Sequence, residues 1–334
     1  MMQRSPNAML SVLTLVWLPA IAEAQLSFER PPIQYSMREP TGPVAVLKAS
    51  IDAAKVTLQQ DDAHGYLSGL LDALGIPVSS QTLVFSKTSL QKHRISPKNP
   101  RAIYFNDDVY VAWTPDADLI EIASTDPQLG SVFYTVDQHQ DPPQPLEITR
   151  RVHRCLFCHA STDTGRVPGL LMQSVFTDAD GHRTFPSDSI EPKGNGPLLG
   201  RWGGWYATGT HGRQRHLGNL LTQSSEVIVP ADLTASSNIT DLRPFFDTSK
   251  YLSPHSDLVA LLVLQHQVTL HNLLTSANQR SRLHLNSKID FDDDVQAKGR
   301  AELDDENRVF VDQVAEDVVD GLLMVGQANW TDPI

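Results

Sequence analysis

The segment Ala102-Ile103-Tyr104-Phe105-Asn106-Asp107-Asp108-Val109-Tyr110-Val111-Ala112-Trp113 decides how the first half of this chain folds. Two runs of β-branched and aromatic residues flank three residues that favour a tight turn. The pattern predicts an antiparallel hairpin joining Tyr104-Phe105 to Val109-Tyr110. Outward from it, Thr82–Phe85, Leu119–Ala123 and Val132–Val136 repeat the same composition, with turn residues between them. An antiparallel β meander from Thr82 to Asp137 follows. Tyr104, Asn106, Asp107, Asp108 and Tyr110 also form a polar cluster with the chemistry of a substrate or metal site, for which the hairpin turn is the simpler account.

Beyond the meander the period changes. Val46, Leu47, Ile51 and Val56, then Tyr66, Leu67, Leu70, Leu71 and Leu74, mark two helical pieces between Val44 and Leu74, the second stopped by Gly75 and Pro77. Leu170–Phe176 and His182–Phe185 read as a second hairpin around Asp178-Ala179-Asp180-Gly181. Those carboxylates hint at calcium, but the loop lacks the twelve-residue spacing of an EF-hand. Asp257 to Ala277 and a segment marked by Val311, Val314, Val318 and Leu322 are amphipathic helices. An acidic linker, with Asp292 to Asp294 and Asp304 to Glu306, separates them. The expected class is α+β: an antiparallel meander in the first half and a helical second half.

Residues 1–24 read as a secretory leader, with Arg4, an apolar run from Met9 to Ala20, and Ala22-Glu23-Ala24 before Gln25. The run is shorter than a spanning helix needs, and no later stretch reads as a membrane span. Gln25 to Pro43 is Pro-rich and expected to be extended. Residues 44–334 are expected to form one domain, sheet-rich over 44–150 and mainly helical over 151–334. The formal charge is −12, and loss of the leader removes one Arg and one Glu and leaves it unchanged. Such a chain repels nucleic acid, and a charge-steered partner is expected to be basic at its docking face.

An exported protein is free to use cysteine for disulfides, yet this chain has only two, within Cys155-Leu156-Phe157-Cys158-His159. C-x-x-C-H is a haem-attachment spacing. On one helical turn, residues i and i+3 share a face, so both sulfurs reach one edge of a porphyrin while the adjacent imidazole meets its iron. A small-loop disulfide, a thioredoxin-like dithiol and a zinc site are the competing readings. The dithiol has no need of His159, and zinc would want a second pair of ligands.

The pentapeptide resembles the attachment motif of c-type cytochromes. That resemblance implies one covalent haem c, with Cys155 and Cys158 as thioether donors and His159 as an axial iron ligand. It covers five residues and carries no fold. The chain departs from small cytochromes c in placing about 130 mature residues before the motif. More broadly, Phe85-Ser86-Lys87-Thr88, the stretch from Ile95-Ser96-Pro97-Lys98-Asn99-Pro100-Arg101 to Tyr110, and Trp202 to Asn219 are similar to a group of large exported mono-haem proteins. This implies a shared architecture and no activity.

Under a haem reading, function turns on the second axial position. Candidate donors, in order, are His266 and His271 on the helix after Ser256, then His211 and His216. Met172, 13 residues after His159, and Met324 are the sulfur alternatives. The Gly- and aromatic-rich stretch from Trp202 to Asn219 suits a haem edge, with Arg213 and Arg215 placed to pair propionates. A filled position predicts electron transfer in the periplasm. An open one predicts a haem enzyme acting on peroxide or another small oxidant. A sensor or assembly module docking through the acidic linker is a third reading.

Overall fold

A computed structural model describes residues 26–138, 146–184, 198–221, 233–289 and 305–329. The leader, Phe185 and Asp292 to Asp294 lie outside these residues. The architecture is α+β, with an antiparallel seven-stranded sheet and the long helices in the second half. Strands β1 (Thr82–Val84), β2 (Arg101–Phe105), β3 (Val109–Trp113), β4 (Leu119–Asp126), β5 (Gly130–Asp137) and β6 (Ile148–Arg150) lie side by side in chain order. A two-residue strand, β7 (Trp205–Tyr206), closes the edge beside β1, pairing Leu83 with Tyr206.

The predicted hairpin is present in register, with Phe105 opposite Tyr110 and Ala102 opposite Trp113. Asn106 makes the turn: its Oδ1 accepts from the amides of Asp108 and Val109, and its Nδ2 donates to Leu74 O. The polar cluster is therefore structural at this residue. Successive strand residues face opposite sides of a sheet, and the registers assign the faces. Ile103, Ala112, Glu121 and Thr135 form one cross-strand row, and Tyr110, Ala123 and Phe133 the next. The alternate residues Tyr104, Val111 and Ile122 are buried.

Two short helices, α1 (Pro43–Asp52) and α2 (Leu67–Leu74), match the two predicted pieces, except that Val56 falls beyond the first. Gly75 ends α2 in the left-handed conformation (φ 65°), the usual way to close a helix. The N-terminal segment is not the extended tail its prolines suggested. Residues 26–43 contain a 3-10 turn at Ser27–Glu29, and Phe28, Ile33 and Tyr35 are buried in the core. Three large apolar side chains outweigh the proline signal, because burying each is worth about 1.5–3 kcal/mol.

Helix α3 (His153–His159) carries the cysteine motif. Helix α4 (Leu258–Ile289) is longer than its apolar stripe indicated, and α5 (Asp305–Leu322) packs along it. A window within Leu258–Ser287 has mean hydropathy 1.3 and is long and apolar enough to cross a membrane. Its polar side chains are nevertheless spent on the protein: Gln267 donates to Asn106 O, Asn272 bonds Leu170 and Gln279 donates to Leu129 O.

The second predicted hairpin is present only as a tight turn: an antiparallel bridge joins Thr177 to Arg183 and Thr184 N donates to Phe176 O, but among the described residues its arms form no strands. Asp178 Oδ1 accepts from the amides of Asp180 and His182, which makes the acidic loop a turn.

Candidate functional site

Helix α3 has seven residues and one fully buried side chain, Leu156, which fixes its orientation. With Leu156 turned inward, Phe157 is left 88% exposed. Cys155, Cys158 and His159 turn to a cleft of about 300 Å³ between α3 and the sheet. Its floor is the sheet face already described, with Ile103, Ala112, Ala123 and Phe133 among its lining. Two alanines on neighbouring strands leave the floor low where bulkier residues would fill it. Leu264 and Val268 of α4 and Leu170, Leu171 and Met172 complete the apolar walls.

One charged pair sits in this lining. Arg101 Nη1 and Glu121 Oε2 are 2.9 Å apart on adjacent rows of the sheet face, each side chain mostly buried. The Arg101 Nε and Glu121 Oε1 atoms are buried with no partner, so a bound group with its own donor or acceptor would gain hydrogen bonds here.

His159 is held through one nitrogen. Its Nδ1 lies 2.9 Å from Gly169 O, and Gly169 N donates to His159 O at 2.8 Å. With Nδ1–H donating to that carbonyl, Nε2 keeps its lone pair. Burial lowers the His159 pKa and favours the neutral ring. A neutral imidazole whose other nitrogen is tied to a backbone carbonyl is the form that ligates metals.

The strap from Gly169 to Gln173 is pinned at both ends. Asn272 of α4 acts as a peptide group would, accepting from Leu170 N at 2.8 Å and donating to Leu170 O at 2.8 Å. Trp205 Nε1 donates to Gln173 O at 2.8 Å. Gly169 is required where it stands, because a Cβ there would lie 2.4 Å from Asn272 Oδ1. Met172 therefore enters the cleft from a segment fixed on either side. Asn272→Ala would leave two backbone groups of the buried Leu170 without partners. The expected cost is about 2 kcal/mol, read as a lower denaturation midpoint with an unchanged slope, and Asn272→Asp should recover part of it.

The Cys155 thiol lacks the surroundings of an activated one. Cys155 and Cys158 are free, not joined in a disulfide. Burial, with Glu121 nearby, pushes the Cys155 thiol up to about 11, whereas a redox-active dithiol needs a lowered value. Among the described residues, no group of three or more His, Cys, Asp or Glu side chains is placed to hold a metal ion. The raised Cys155 value speaks against the dithiol reading.

The other candidates fall in different places. His271 Nδ1 is 3.0 Å from Tyr110 Oη, and its ring lines a separate groove between α4 and α5. His266 is not among the residues around the cleft. His211 and His216 are buried together, ring centroids 4.7 Å apart, with His216 against Trp202. His211 Nε2 accepts from Asn238 N, and burial followed by the neighbouring His211 pulls His216 down to about 3. None of these four rings lines the cleft, and neither do Arg213 and Arg215. Met324 lies beyond the end of α5, partly exposed. The arginines that the structure brings to the cysteines are Arg101 and Arg154. From the Gly- and aromatic-rich stretch only Trp205 reaches the site.

Sequence reasoning passed over Asn272, Arg101 and Glu121. An Asn among leucines on an apolar helix is a weak signal, and an Arg and a Glu in edge-to-centre strands look like solvent-facing residues. No protein-family model, curated protein or solved structure matches this chain.

Proposed function

We propose that the chain carries one haem c, bound through Cys155 and Cys158 and ligated by His159, and that it passes single electrons outside the cytoplasm. The observation that carries this reading is the convergence of both sulfurs and a tied, neutral His159 on one apolar cleft. Attachment consumes no oxidant. Each S–H adds across a vinyl double bond, the sulfur joining one carbon and the hydrogen the other.

When bound, the haem supplies one-electron redox chemistry at its iron. The chain's own residues do the rest. Gly169 O holds the His159 ring in one tautomer, and Asn272 holds Gly169 in place through Leu170. Arg101, in the lining on the sheet side, is the residue that would meet a propionate carboxylate. Met172 lines the same cleft, and its thioether would be available to the iron. Were it to ligate, the site would suit a carrier better than an enzyme acting on peroxide.

The test is chemical. The protein is exported by a host competent in c-type cytochrome maturation, denatured, and extracted with acidified acetone. Pigment that stays with the polypeptide is the expected result, lost in a Cys155→Ala, Cys158→Ala double variant. A colourless protein, or pigment that leaves with the solvent, overturns the proposal.

A further inference from the structure

The charge of the whole chain and the charge at the cleft have opposite signs. The chain carries −12, yet residues 148–162 hold three arginines and no acid. Arg150 is occupied with the structure, donating to Arg38 O and Tyr35 O. Arg151 and Arg154 are exposed on or beside α3, with His153 between them, and Arg166 is exposed on the loop that returns to Ser161. Glu121, the acid in the cleft lining, is tied to Arg101. Glu147 and Asp163 are the exposed acids that flank this run, so Arg151, Arg154 and Arg166 leave the mouth with an excess of about one positive charge.

Phe157 stands in the middle of this patch. It sits between the two cysteines, 88% exposed beside the exposed Cys158. Leaving a phenyl ring in water forgoes about 1.5–3 kcal/mol of burial, and an exposed aromatic one helical turn from an exposed Arg154 has the composition of an interface centre. Screening decides which charge a partner meets. At physiological salt the Debye length is about 8 Å, so acids elsewhere on the molecule contribute little at the mouth.

We infer that the surface around Phe157, Arg151 and Arg154 is the docking face for a redox protein whose own docking surface is acidic. This rests on the haem reading and reverses the partner expected from net charge. Electrons would cross where Cys158 reaches the surface, one per encounter, from the reduced haem to an acceptor of that kind.

Small redox ions serve as probes in the test. The reduced protein is mixed with ferricyanide, an anion, or with tris(phenanthroline)cobalt(III), a cation; each takes one electron. A basic mouth makes the ferricyanide rate constant fall, by roughly two- to threefold between physiological salt and about 1 M, a range in which the distant acids are already screened, while the cobalt rate rises. An Arg151→Glu, Arg166→Glu variant, altered only at exposed positions outside the cleft lining, should reverse both slopes. Ferricyanide oxidation that speeds up with salt, or that ignores it, overturns this inference. A wild-type protein without covalent pigment overturns the haem reading instead.

Discussion

Met172→Ala is expected to turn a low-spin ferric iron into a high-spin one while both thioether bonds stay intact. Among the candidate donors, Met172 alone lines the cleft with Cys155, Cys158 and His159. Its place on the strap explains how. Three residues of extended chain span up to roughly 10 Å, and Met172 lies three residues beyond Gly169, whose carbonyl holds His159. The strap thus carries both the carbonyl that holds the His159 ring and the Met172 side chain, with Asn272 and Trp205 fixing it between them. In the variant, cyanide should bind readily and the Soret band should shift on its addition. The reduction potential should drop by a sizeable part of the roughly 0.8 V that axial ligands span. Met172→His should stay low-spin at a lower potential. His266→Ala and His271→Ala should leave the spectrum unchanged, since neither ring lines the cleft. A spin change in either of those, or none in Met172→Ala, would assign the ligand elsewhere.

What the sequence revealed was local. The Asn106-Asp107-Asp108 turn, the alternation of β4 and the spacing of Cys155, Cys158 and His159 are each written within a dozen residues, and each reads directly. What escaped it depends on distant partners. Strand β7 has two residues and exists because Leu83 and Val84 pair with Tyr206 and Trp205; no periodicity announces it. Leu170 to Phe176 has strand composition, but its early main-chain bonds go to Asn272 and Trp205 side chains, and Val175 N donates to Gly203 O in a loop. His266 shared a stripe with leucines and looked interior, yet helix α4 turns Leu264 and Val268 to the cleft. Which of twelve histidines and six methionines lies near α3 depends on which backbone passes it, and that follows from the packing of the strap against α4.

Gly130→Ala is expected to be the most destabilising single methyl addition near the site, at about 4 kcal/mol. Gly130 begins β5 with φ 81°, a conformation that costs an L residue roughly 1–2 kcal/mol. Space is also lacking. A Cβ would lie 2.3 Å from Thr275 Cγ2 and 2.8 Å from Pro168 O, and overpacking of this kind adds about 1–3 kcal/mol. The two contacts differ in consequence. Thr275 is a side chain on α4 that a shorter residue can relieve, so Gly130→Ala with Thr275→Ala should recover part of the loss. Pro168 O cannot yield so easily, because it accepts from Ser131 N at 3.0 Å and directly precedes Gly169. Pushing it away from β5 pushes the carbonyl that holds His159. The single variant should therefore show a lower melting temperature and also a haem whose ligand spectrum is heterogeneous at temperatures where the chain is still folded. In the double variant the melting temperature should rise again while the spectral heterogeneity persists, since only the Thr275 clash has been removed. Full recovery of both would mean that β5 meets the strap through α4 alone, and the direct contact between Gly130 and Pro168 would have no part in holding His159.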